Sequence, residues 1–397
     1  MEHSLFAMLI LSMAIVSFGI KINVVHKWRY CEYEWESKQQ KKDAINSGIY
    51  DPYTCVLIDA DKAKDGRIFV TAPRELGPGT PATVATVTNK TGPGGPLLRP
   101  YPDWSWHNNS CICDGIVNVY RLHIQCNYIV LLDNGKIGSD LICNPKLLIF
   151  NLEDDTLVKI IYIPLDIATN RTGAGYLITP IVYYPKTCKR FLDEMIVFMA
   201  DSQGSGLIVY DSCTKRMCRV ESDSMKSADV IFSVVGENFT YTGGILSLTV
   251  LGSDLYYASL SGNEIYKIKI KTLLGCPNKE EANKESKFVK LVAKPILPMA
   301  AVENAIFYSD VQGTSLLGTN VEKSGENTAI ISQDSKKLQI ISGLKYSSYW
   351  DQLTYISDRY QRFVLGTVNL DEIHFRYIEM DITDIREKTD LFSKQSY

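Results

Sequence analysis

Apolar residues in this chain fall into short runs rich in Val, Ile and Tyr, separated by Gly, Pro, Asn and Asp. The clearest runs lie at 55–59, 67–72, 117–124, 128–133, 146–152 and 157–163, and each reads as a strand closed by a turn. Helical periodicity is scarce. The best candidate, 278–287, is so highly charged that it reads as a solvated loop.

One unit recurs. In "FMADSQGSGLIVYD" an apolar run ends on Asp201, a small-residue bend follows, and a second apolar run begins. The same arrangement places Asp133 at the end of "YIVLLD", Asp310 in "AIFYSD" and Asp358 in "LTYISD". Ser259 takes the position in "LYYAS" and Thr71 in "RIFVT". The six anchors stand 48 to 68 residues apart. All-strand repeats of this order predict an all-β fold, a six-bladed β-propeller. An Asp at such a strand end caps its turn by accepting backbone N–H bonds. In a propeller it also stands near a channel mouth, where several carboxylates would repel unless paired, solvated or bound to a cation. Asp133 is therefore expected to cap its Asn134-Gly135 turn, and Asp358 to face the channel.

Composition narrows the functional classes. The chain has 397 residues, 45% hydrophobic and 22% charged, with a net charge of −3 and no basic block, which argues against nucleic acid as a partner. Residues 1–19 read as a signal peptide, apolar from Leu5 to Phe18 and ending on small residues. No later apolar run is long enough to span a membrane, so a secreted, extracellular protein is expected. The ten cysteines all follow residue 30, which favours disulfides. Sequons stand at Asn89, Asn108, Asn170 and Asn238, as expected of a glycoprotein. The remaining chain divides into an N-terminal extension (20–50), the propeller (51–382) and a C-terminal tail (383–397).

Familiar catalytic patterns are missing. There is no H-x-x-x-H or H-E-x-x-H, no G-x-S-x-G, and no lysine after the proline-broken glycine loops, so no metal and no cofactor is expected. The tryptophans of "YPDWSWH" are assigned to packing. Cys213 and Cys218 flank a tight loop and are expected to pair across it.

Four longer stretches carry a resemblance: "FVTAPRELGPGTPATVATV" (69–87), "LLRPYPDWSWH" (97–107), "CDGIVNVYRLHIQCNYIVLLDNG" (113–135) and "CNPKLLIFNLEDDTLVKIIYIP" (143–164). With "ADSQGSGLIVYD" and "LTYISDRY", they resemble the insect yellow and major royal jelly protein family over residues 50–365. The resemblance implies a secreted six-bladed propeller with the disulfides Cys126–Cys188 and Cys113–Cys143. Cys31, Cys55, Cys111 and Cys276 stay unassigned. Family members include pigmentation proteins, dopachrome-converting enzymes and salivary binders of biogenic amines. The binders' pocket maps onto Tyr120, Leu246, Gly343, Asp358 and Tyr360. Leu246 replaces an aromatic, Gly343 a hydroxyl residue and Asp358 an amide of those binders. The expected ligand is a small aromatic amine or catechol. Asp358 is the candidate partner for its ammonium, or a general base in a dopachrome-isomerising enzyme. A structural or nutritive role is the non-catalytic alternative.

Overall fold

The computed structural model describes residues 19–107, 113–292, 296–323 and 327–392. The signal-peptide assignment, apart from Gly19, lies outside this range, as do Asn108 and Cys111. Six four-stranded antiparallel sheets form the molecule. The innermost strands are Asp59–Lys62 (blade I), Val119–Gln125 (II), Leu177–Tyr183 (III), Ile245–Leu251 (IV), Ile296–Val302 (V) and Ile340–Ser347 (VI). Each packs beside the next, and blade VI packs against blade I, so the ring is closed and the six-bladed propeller expected from the repeat is what the chain forms.

The repeated unit is the second strand of every blade. Ile68–Thr71, Tyr128–Asp133, Ile196–Asp201, Asp254–Ser259, Ala305–Asp310 and Gln352–Asp358 each terminate on the anchor residue. The anchors act mainly on nearby backbone. Asp133 accepts from the N–H groups of Val117 (3.0 Å), Asn118 (2.9 Å) and Gly135 (3.0 Å), and so caps its turn. Asp201 accepts from Tyr176 (2.6 Å) and Gly204 (2.8 Å) and pairs with Arg219 at 2.8 Å. Asp310 accepts from Gly313, while Thr71 and Ser259 donate to the carbonyls of Tyr120 and Lys226. The aspartates satisfy turn amides that no ladder reaches, and the two hydroxyl anchors satisfy backbone carbonyls instead.

Closure comes from the other end of the chain. Residues 20–50, set apart in the sequence as an extension, supply Asn23–Trp28 as the outer strand of blade VI, antiparallel to Phe375–Asp381. Trp28 is fully buried and its indole N–H donates to Pro96 O in blade I at 2.8 Å. The stretch 278–287 is not a loop: Lys279–Glu285 is a helix capped by Asn278, whose side chain accepts from Glu281 N–H, with Ala282 buried beneath it. The tryptophans of "YPDWSWH" sit on a 3-10 turn, Trp104 stacked on Trp35 and Trp106 against Phe150.

Among the described residues, three disulfides form. Cys113–Cys143 and Cys126–Cys188 are the pairs implied by the resemblance, and the second ties blade II to blade III. The third corrects an expectation. Cys218 bonds Cys276, and Cys213 is left exposed. Asp211 pairs with Arg216 across the hairpin, so Cys213 lies in the turn beyond the last rung while Cys218 stands opposite Val209. A bridge between them would have to break that register. Among the other sequons, Asn89 and Asn238 are exposed, whereas the Asn170 side chain accepts from Thr172 and Ala174.

Two outcomes test this arrangement. Trp28→Ala should lower the unfolding free energy by about 3–5 kcal/mol in denaturant titration, since it empties a fully buried indole site at the ring closure; a loss under ~1 kcal/mol would show that closure does not depend on it. Peptide mapping of unreduced protein should recover Cys113–Cys143, Cys126–Cys188 and Cys218–Cys276, and Cys213→Ser should leave all three linked.

Candidate functional site

The site grows from a repeated irregularity. Near the start of the inner strand in blades II to VI, the register with the second strand slips. Ladder pairing leaves Tyr120 and Arg121, Ile178, Leu246, Leu297 with Pro298, and Ser342 as the extra residues. A bulge bends its strand and re-aims the side chain it leaves unpaired. Tyr120, Arg121, Leu246, Leu297 and Ser342 all face one small cavity, about 40 Å³, at the channel mouth where the inner strands begin. Ile58, Ile340, Leu260 and Tyr360 complete its wall, and Phe232, Phe239 and Tyr241 close it from a hairpin at 228–243.

One carboxylate lies among these rings. Glu75 belongs to a short 3-10 turn, Arg74–Leu76, that follows the second strand of blade I. Arg74 fixes that turn: its guanidinium donates to the carbonyls of Thr80 (2.9 Å), Val117 (2.9 Å) and Pro81 (3.0 Å). Glu75 then accepts from the Tyr120 hydroxyl at 2.7 Å and the Tyr241 hydroxyl at 2.8 Å, and the Tyr360 hydroxyl adds to their pull on its charge. Burial raises the Glu75 pKa above the usual carboxylate range, and the three phenols and the Arg121 charge pull it back. The phenols of Tyr120, Tyr241 and Tyr360 are in turn held well above their ordinary range by burial and by the Glu75 charge. Among the described residues no lysine, arginine or histidine forms an ion pair with Glu75.

Below the cavity the channel is crossed by Arg121. From blade II its guanidinium donates to Thr179 Oγ1 of blade III at 3.0 Å and to the Ser342 carbonyl of blade VI. Asp59 lies beside this crossing, paired with Lys345 at 3.0 Å and accepting from Leu122 N–H at 3.1 Å. Beyond it, toward the far ends of the inner strands, a second cavity of about 180 Å³ is lined by Asp61, His123 and Lys345 among apolar residues. Burial drives Asp61 up to about 7 and His123 down to about 3. Among the described residues no group of three or more His, Cys, Asp or Glu side chains is arranged to hold a metal ion.

The residues singled out from the sequence divide into two sets. Tyr120, Leu246 and Tyr360 line the mouth cavity. Asp358 is buried one layer behind it: Ser342 Oγ donates to one of its oxygens and Tyr360 N–H, at 3.0 Å, to the other. Desolvation lifts Asp358 to about 7, against the pull of those two donors and of Arg121. Its contacts position Ser342 and Tyr360. Gly343 is also behind the wall, where a Cβ would stand 2.4 Å from Asp59 Oδ1 and 2.7 Å from Asp59 Cα. Glycine there lets blade VI approach blade I, and the neighbouring Ser342 lines the cavity while its hydroxyl is held by Asp358. Sequence reasoning missed Glu75, Arg121, Tyr241 and Ser342. Glu75 did leave a signal, a carboxylate four residues after the Thr71 anchor where other blades carry theirs on the anchor itself.

Comparison with known proteins places this geometry in a lineage. The family profile described as "Major royal jelly protein" matches residues 117–391. Major royal jelly protein 8 of Apis mellifera is 28% identical over 393 residues, covering 93% of this chain and 92% of its own. Major royal jelly protein 9 of the same species is 29% identical over 405 residues, with 93% and 92% covered. Among solved structures, a luciferin-regenerating enzyme superposes with a TM-score of 0.48 at 8% identity, over 90% of this chain and 95% of its own. With its six blades, two disulfides on the positions the resemblance implies and the profile match over most of its length, the chain belongs to the major royal jelly protein family.

Proposed function

We propose that this protein binds small aromatic molecules carrying a protonated amine, extracellularly, at the mouth capped by the hairpin. The observation that carries the reading is the Glu75 carboxylate, enclosed by three phenols and, among the described residues, held in no ion pair, the nearest cationic influence being Arg121, whose guanidinium is bonded to Thr179 and to the Ser342 carbonyl. An ammonium is the complementary group: it forms a charge-assisted hydrogen bond with the carboxylate, and the tyrosine and phenylalanine faces attract both its charge and an attached ring. Pockets of this kind, mostly apolar with a few convergent polar groups, are the usual form of small-molecule sites. Three disulfides fit an oxidising, extracellular setting. Handling of catecholamine-derived ligands in cuticle or eggshell pigmentation and hardening fits the same pocket. The isomerase alternative gets less support, because both Asp358 oxygens are already engaged by Ser342 and Tyr360.

Calorimetric titration with dopamine and with an uncharged catechol tests the reading. Dopamine should bind, and Glu75→Gln should weaken it about 10- to 100-fold, the worth of one hydrogen bond to a charged group. The same substitution removes a desolvated charge, so the thermal midpoint at neutral pH should hold or rise. Equal affinity for the two ligands, or an unchanged affinity in Glu75→Gln, would end the proposal. Dopachrome should be consumed no faster than in buffer.

The pH dependence has a definite sign. Glu75 titrates above the usual carboxylate range, so its negative form is lost on mild acidification while the ligand stays cationic. Dopamine affinity should therefore rise with pH from acid toward neutrality, and Glu75→Gln should flatten that slope.

A further inference from the structure

The hairpin formed by Ala228–Val234 and Glu237–Gly243 stands outside the six blades: its strands pair with each other and with no blade strand. Its side chains alternate. Val230, Phe232, Val234 and Phe239 are buried against the mouth, while Ile231 on the opposite face is 70% exposed. Among the described residues, two polar side-chain contacts fasten it to the propeller. Tyr241 donates to Glu75 at 2.8 Å, and Arg362 pairs with Glu237 at 3.0 Å. The Phe239 ring lies 5.9 Å from that of Tyr360.

The cavity beneath is too small for the ligand class the site otherwise suits. At about 40 Å³ it has room for roughly three waters, by the ~10–15 Å³ that one water needs. An aromatic ring with an aminoethyl arm is several times larger, and Phe232, Phe239 and Tyr241 of the hairpin form the wall on that side. The described state is therefore closed.

We propose that the hairpin is a lid that swings off the mouth to admit ligand, and that Glu237–Arg362 and Glu75–Tyr241 form its latch. The inference rests on the amine-binding reading for its ligand, but not for the motion. Latch and ligand compete: an ammonium that takes Glu75 displaces the Tyr241 hydroxyl, so ligand binding and lid opening favour each other. Because the closed lid leaves too little room for the ligand, apparent affinity scales with the open fraction. The lid carries Asn238 exposed on its outer side, so a glycan there would ride on the moving element.

The motion is tested without any amine. Leu246→Cys places a thiol in the cavity wall, and its alkylation by a small maleimide is followed on the peptide that contains it. Labelling should be slow compared with the exposed Cys213, and adding Arg362→Ala should speed it about two- to fivefold, the worth of a partly exposed ion pair. The charge-reversed pair, Glu237→Arg with Arg362→Glu, should restore the slow rate. Labelling as fast as Cys213 before any latch substitution, or a rate indifferent to Arg362→Ala, would overturn the lid. In a second arm without the introduced cysteine, Arg362→Ala should speed dopamine association by a similar factor. Latch-dependent labelling with no dopamine binding would remove the amine and leave the lid standing.

Discussion

The mouth of this propeller depends on a phase slip. A strand alternates its side chains between two faces, so a regular inner strand would aim every second residue into a neighbouring blade. In five blades the inner strand takes extra residues just after it starts, and in four of them such a residue lines the mouth cavity. Four of these blades thus supply inward side chains to the mouth, Tyr120 with Arg121, Leu246, Leu297 and Ser342, carried by the inner strands themselves. Each inner strand is held by one ladder, to the second strand of its blade, and packs beside the inner strands of its neighbours, so these residues project from ordered backbone rather than from a loop.

The strand-end anchors support the same region from behind. Asp133 and Asp201 hold the backbone that leads into the inner strands at Val117, Asn118 and Tyr176, and Asp358 holds Tyr360 and Ser342. A carboxylate is the efficient choice because one side chain accepts two or three bonds, and bonds to a charged acceptor are the stronger ones. Burial opposes this use, and the compensations differ. Asp201 has Arg219 and Asp133 has Lys146 at 3.3 Å, whereas Asp358 has only neutral donors and the more distant Arg121, and titrates near neutrality.

What the sequence made legible follows from how local each signal is. An apolar run ending on an acceptor before a turn is written within eight residues, so all six second strands and the blade count were readable. The slip in register is not local: it exists only between two strands and leaves no mark on either alone, which is why Arg121 and Ser342 escaped notice. The closing strand Asn23–Trp28 escaped for the same reason, its partner lying some 350 residues away. Cys213 and Cys218 misled because nearness in sequence was taken for nearness across a hairpin, whose turn had already separated them. The charged helix Lys279–Glu285 was misread because only Ala282 is buried on it, too narrow an apolar stripe for periodicity to show. Of the mouth itself, Tyr120, Leu246 and Tyr360 were reached through resemblance, and Glu75 was not reached at all.

Arg121 has a consequence for traffic through the molecule. Its bonds to Thr179 and to the Ser342 carbonyl span blades II, III and VI and leave one vestibule on either side. The propeller axis is therefore a cul-de-sac and not a conduit. A solute that enters among the tyrosines must leave by the door it came through, and the far vestibule samples a separate population of solutes. Vectorial passage is closed to this molecule, and what it can do with a guest is retain it, exchange it or change it in place.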